Sequence, residues 1–97
     1  MKGYWIAQVD VTDPEAYRGY TERAPAAFAR YGGRFLARGG RAEQLEGEGW
    51  ATRRVVIEFA SYEQALACYR SAEYQEACGH RQTAARAEIF IVEGLGG

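Results

Sequence analysis

Tyr4-Trp5-Ile6-Ala7-Gln8-Val9-Asp10-Val11, followed at once by Thr12-Asp13-Pro14-Glu15, is the stretch that decides the fold class. The first run is rich in aromatic and branched side chains, which suit a pleated strand. The second has the chemistry of a helix start. Asp13 can cap, Pro14 fits the first turn, and Glu15 sits at the positive helix end. A strand that hands the chain directly to a helix sets an α-and-β pattern, and the downstream segments say how it repeats.

Apolar residues at 17, 20, 24, 27, 28 and 31 keep helical spacing up to Gly32-Gly33, where the helix ends. Pro25 removes a backbone donor and crowds the preceding turn, which predicts a kink or break near Ala24. Arg34 to Arg38 reads as a strand. Gly39-Gly40 reads as a bulge, with Arg41 to Glu46 continuing the strand beyond it. Gly47-Glu48-Gly49 is a turn, and Trp50 to Phe59 returns as the third strand of a hairpin. Ser61 with Gln64 forms a capping box for a second helix carrying Ala65, Leu66 and Tyr69. Ser71 restarts a helical segment with Tyr74, Ala77, Cys78, Arg81 and Ala84 along one side. Arg86 to Glu93 is the last strand, and Gly94 to Gly97 is a tail. The order β-α-β-β-α-β over 1–97 predicts one ferredoxin-like α+β domain, a four-stranded antiparallel sheet with helices on one face.

Two helices can cover one face of such a sheet, so the other face should be polar if water covers it. One parity gives Trp5, Ala7, Val9, Phe35, Ala37, Val55, Ile57, Phe59, Ala87, Ile89 and Ile91, a helix-covered core. The opposite parity still carries Tyr4, Ile6, Leu36, Val56, Phe90 and Val92 among its charged residues. Left bare, these would make a patch at or above the ~300–600 Å² usual for a monomer. A homodimer packed through this face is the expected remedy; the alternative is a monomer with stray apolar residues at strand ends.

Composition narrows the function classes. Twelve basic and thirteen acidic residues are interspersed, for a net charge of −1, so no basic stripe exists to neutralise nucleic-acid phosphates. Eleven arginines against one lysine, with no asparagine, is the signature of a GC-rich bacterial genome. No signal-peptide pattern follows Met1, and no run approaches the roughly 18 apolar residues needed to span a membrane. Two cysteines, Cys68 and Cys78, suit a reducing cytosol and small buried positions. A cytoplasmic protein is expected.

The pieces Lys2-Gly3-Tyr4, Val11-Thr12-Asp13-Pro14-Glu15, Tyr31 to Gly40 (YGGRFLARGG) and Leu45-Glu46-Gly47 resemble the domain-of-unknown-function family numbered thirteen-thirty. So do Val56-Ile57-Glu58-Phe59, Ser71-Ala72-Glu73-Tyr74, Arg81 and Val92-Glu93-Gly94. The resemblance runs over nearly the whole chain. It implies the dimeric α+β barrel superfamily, in which two ferredoxin-like subunits join their sheets. Relatives there include cofactor-free monooxygenases, muconolactone isomerases, haem-dependent chlorite dismutases and small-molecule-sensing domains of transcription regulators. The family carries no agreed activity, so only the fold transfers. Members often have an aromatic residue before the second helix's tyrosine, Tyr69 here; this chain has Cys68.

The residues offer few candidates for chemistry. His80, the single histidine, is either a general base beside Arg81 or a solvated residue near a helix end. Arg81 shares a helical side with Tyr74 and Cys78. It either holds a substrate carboxylate through two hydrogen bonds or forms a salt bridge with Glu58 or Glu88. Arg38, beside the glycine pair, is either turned toward a site or guards a sheet edge. Tyr17, Tyr20 and Tyr69 either line a pocket or sit in the core with satisfied hydroxyls. One histidine and scattered carboxylates make no metal-ligand set, and no nucleotide loop is present, so no metal or cofactor is called for. The expectation is a pocket in each subunit for a small organic molecule, an acid among the candidates, with cofactor-free isomerisation or oxygenation as the catalytic version. The rival is a non-catalytic sensing or interaction module. A cavity of at least ~300 Å³ with convergent polar groups separates the two.

Overall fold

The structure, a computed structural model, describes residues 1–96. Its elements are β1 (Gly3–Val11), α1 (Pro14–Arg30), β2 (Arg34–Arg38), β3 (Arg53–Phe59), α2 (Tyr62–Arg70), α3 (Ala72–Gly79) and β4 (Ala85–Glu93). The strands form one antiparallel sheet in the order β2-β3-β1-β4, the ferredoxin-like arrangement.

Local chemistry sets the helix ends. Asp13 accepts from the Ala16 amide at 3.2 Å, and Pro14 opens α1. At its far end Gly33 N donates to Phe28 O and Gly32 N to Ala29 O, with Gly32 at φ 77°. This paired closure needs a left-handed residue, which glycine supplies without strain. Of the kink or break expected near Ala24, the break is absent: α1 runs on through Pro25. Ala24, Ala27 and Phe28 around the proline are buried, and that burial outweighs one missing backbone bond. Ser61 caps α2 by accepting from Gln64 N at 3.0 Å. The Gln64 side chain instead donates to Tyr31 O at 3.1 Å, so half of the capping box forms. Ser71 both ends α2 and caps α3.

The helices cover one sheet face. Trp5 stands at its centre, edge-on to Phe28 and Tyr74 with ring centres 5.0 and 4.8 Å away, and packed near Phe59. Such buried aromatic and aliphatic side chains each stabilise the fold by about 1.5–3 kcal/mol. The opposite face carries Tyr4, Ile6 and Val56 half-buried, with Leu36, Phe90 and Val92 exposed.

Two strand readings need correction. The bulge lies at Leu36, between Phe35↔Ile57 and Ala37↔Val56, and not at Gly39-Gly40. One extra residue reverses the parity beyond it, so Ala37 leaves the helix-covered face and Arg38 joins it opposite Val55. Arg41 to Glu46 forms no strand. Residues 39–52 are a connecting loop with left-handed glycines at 39, 47 and 49, and β3 begins at Arg53 instead of Trp50. The loop's polar side chains and its exposed Leu45 have no apolar surface to pair against, which leaves nothing to hold them in the sheet.

Candidate functional site

A cavity of about 240 Å³ lies between α1 and the helix-covered face of the sheet. Its floor is Trp5, Ala7, Val9, Val55 and Ile57, and Phe28 and Phe35 add flat aromatic wall. Into this apolar space come Arg38, Arg53 and Arg81, with Tyr17 and Tyr20 from α1. No aspartate or glutamate lines it. The volume falls below the ~300 Å³ lower bound for drug-sized ligands, while the polar groups do converge.

The arginines are held differently. Arg81 Nη2 donates to Cys78 Sγ at 3.0 Å, and its guanidinium lies 5.3 Å from the Tyr20 ring centre. Arg38 lies 4.5 Å from the centre of Phe35. Arg53 and Arg81 each keep a buried Nε without a hydrogen-bond partner; among the described residues no other buried side-chain nitrogen or oxygen is left so. An unmet buried donor on a cation is costly, so these atoms mark where an acceptor is wanted.

Two of the tyrosines are joined through their hydroxyls. Tyr20 and Tyr74 share a hydroxyl–hydroxyl hydrogen bond of 3.0 Å. Burial pushes both phenols above their ordinary pKa; at Tyr20 the neighbouring Tyr74 adds to the rise, while Arg81 opposes it at both. Burial also raises Tyr17, against the pull of Arg53 and Arg81. All three therefore stay protonated donors at neutral pH.

The sequence candidates divide. Tyr17, Tyr20, Arg38 and Arg81 meet at the cavity. Tyr69 packs behind Trp5, with ring centres 5.7 Å apart, and faces a separate groove beside β4 with Leu66 and Ile89. His80 caps the end of α3, exposed, with its imidazole against Gly19, and is not among the lining residues. Glu58 pairs with Lys2 and Arg34, and Glu88 with Arg86, so neither takes Arg81. Among the described residues no three His, Cys, Asp or Glu side chains gather to hold a metal.

A family model described as a domain of unknown function, DUF1330, matches residues 2–95. The chain belongs to this family. A solved protein of unknown function from Rhodopseudomonas palustris shares the fold at TM-score 0.77 and 22% identity, over 99% of this chain and 84% of that one. SnoaB, a cofactor-independent oxygenase from Streptomyces nogalater, matches at TM-score 0.63 and 13% identity, over 99% and 95%. A dimeric ferredoxin-like protein of unknown function from Jannaschia matches at TM-score 0.65 and 14% identity, over 97% and 100%. No curated protein matches the sequence. At these identities the solved structures establish the fold shared by this DUF1330 chain.

Sequence reasoning missed Arg53. The signal was present: Arg53 shares the parity of Val55, Ile57 and Phe59, so it is a cation at an inward strand position. Arg38 was a candidate from the sequence, and its inward orientation depends on the bulge at Leu36 instead of one at Gly39-Gly40. Among the described residues no helix is long and apolar enough to cross a membrane.

Proposed function

We propose that this protein binds a small organic acid with an apolar body in the cavity beneath α1. The observation that carries this reading is the pair Arg53 and Arg81, cations with unmet donors in an apolar space lined by no carboxylate. A carboxylate would satisfy a guanidinium through paired charge-assisted bonds, while Phe28 and Phe35 would take the apolar part. Arg38 at the rim would attract the anion, and Tyr17 and Tyr20 would donate to its oxygens.

A catalytic version of this reading draws on the same cations. Three guanidinium groups would stabilise an enolate or phenolate form of the bound molecule, the species that a cofactor-free isomerase or oxygenase must hold. The likeness to SnoaB is in keeping with such chemistry. His80, outside the cavity, has no part in this scheme.

The working form is a homodimer joined through the uncovered sheet face. Leu36, Phe90 and Val92 are 48%, 53% and 43% exposed on that face, and the Jannaschia relative is dimeric. The free, buried thiols of Cys68 and Cys78 suit a cytoplasmic setting.

A thermal-shift screen against small carboxylic acids and phenols tests the site, because a ligand of the folded state raises the melting temperature. Aromatic acids should raise it in the natural protein and raise it less in Arg53→Met and Arg81→Met. A screen in which no acid raises it contradicts the reading.

A further inference from the structure

We infer that the ligand carries two anionic groups on a flat apolar body, one group for Arg53 and one for Arg81. This rests on the acid-binding reading above. A single carboxylate fills the fork of one guanidinium. The other would then stay half-buried and without a counter-charge, a condition that costs more the less water reaches it. The site has two such cations, not one: Arg53 and Arg81 both line the cavity, no carboxylate lines it with them, and each keeps a buried Nε without a partner.

The two cations reach the cavity from different elements. Arg53 opens β3, next to Gly39, while Arg81 follows α3 and is tied to Cys78 at 3.0 Å. Tyr17, in the same lining, is close enough to both guanidinium groups for each to oppose the rise that burial imposes on its phenol. Arg38 is a different case, since its head rests on the Phe35 ring and the residue is exposed. The walls between are flat and apolar. A cavity of about 240 Å³ equals roughly eight water volumes at ~30 Å³ each. That is room for on the order of ten non-hydrogen atoms, a six-membered ring with two short acidic arms. A compact inorganic dianion would leave the aromatic walls of Phe28 and Phe35 unused.

Titration calorimetry on the natural protein tests this with benzoate, the three benzenedicarboxylates and inorganic phosphate. The expected result is that at least one dicarboxylate binds about tenfold to a hundredfold more tightly than benzoate, the value of one added charge-assisted contact. Arg53→Met and Arg81→Met should each bring that dicarboxylate back to the affinity of benzoate. Benzoate bound as tightly as every dicarboxylate overturns the inference and leaves the acid site standing. Phosphate bound more tightly than all of them overturns it in favour of a compact anion. No binding by any of the five overturns both readings. The comparison among ligands uses one unaltered protein, so a variant that fails to fold does not rescue the inference.

Discussion

Gly39 and the guanidinium of Arg53 adjoin with no space for a side chain between them. A Cβ at position 39 would stand 2.9 Å from Arg53 Cζ and closer still to Nη1. Gly39 also sits at φ 69°, where it turns the chain out of β2. One glycine thus ends the strand and leaves room for a cavity cation.

Gly39→Ala should therefore act twice. The left-handed backbone costs an alanine about 1 kcal/mol, readable as a lower urea midpoint. The displaced Arg53 should weaken benzoate binding severalfold. Unchanged affinity in a folded Gly39→Ala protein would separate Arg53 from the site.

Arg53→Met should raise the stability of the unliganded protein, by up to about 1 kcal/mol, while reducing the ligand-induced rise in melting temperature. The substitution removes a partly buried cation with an unmet donor and keeps most of its apolar bulk. Urea unfolding with and without an aromatic acid reads both effects. A variant less stable than its parent in the absence of ligand would argue that Arg53 has a structural partner.

Alkali should destabilise the fold before any surface group accounts for it. Burial pushes the Cys68 thiol up to about 12, with Glu73 adding to the rise, and holds the Tyr17, Tyr20 and Tyr74 phenols above their usual value. Between the unfolded and folded pKa values the native state keeps protons that the unfolded chain has released, so stability falls as pH rises. The loss should begin near pH 9 with the thiol, steepen above about 10 with the phenols, and be absent at neutral pH. Melting temperatures from pH 7 to 11 check this. Cys68→Ala should flatten the first part of the decline.

Phe90→Glu should yield monomers. Phe90 is 53% exposed on the uncovered face, so the charge costs a lone subunit little, and two copies of it would repel across a two-fold interface. Sedimentation velocity at micromolar concentration should show dimers for the natural chain and single copies for the variant. A natural chain that sediments as a monomer contradicts the dimer.

Much of the fold was legible because it rests on local signals. Asp13-Pro14, Gly32-Gly33, Ser61 and Ser71 each act through bonds to nearby backbone, and alternation assigned most inward residues of β1 and β3. What escaped depends on distant pairing. The Leu36 bulge appears in the register against β3 and nowhere in the residues 34–38 themselves, so Ala37 was assigned to the wrong face and the irregularity that sends Arg38 inward was placed at the wrong residues. Pro25 misled for a related reason: the helix survives it through burial against the sheet, a tertiary effect. At the site, Tyr17, Tyr20 and Arg81 were found by helical side. His80 was not separable from Arg81 by order along the chain, although their side chains go to different surroundings.

The most direct measurement is calorimetric titration of the natural protein with benzoate and with benzamide, which match in shape and differ in charge. If Arg53 and Arg81 make this cavity a receptor for organic anions, benzoate binds at least about tenfold more tightly. Equal affinity for the two, or binding by the amide alone, would contradict the account.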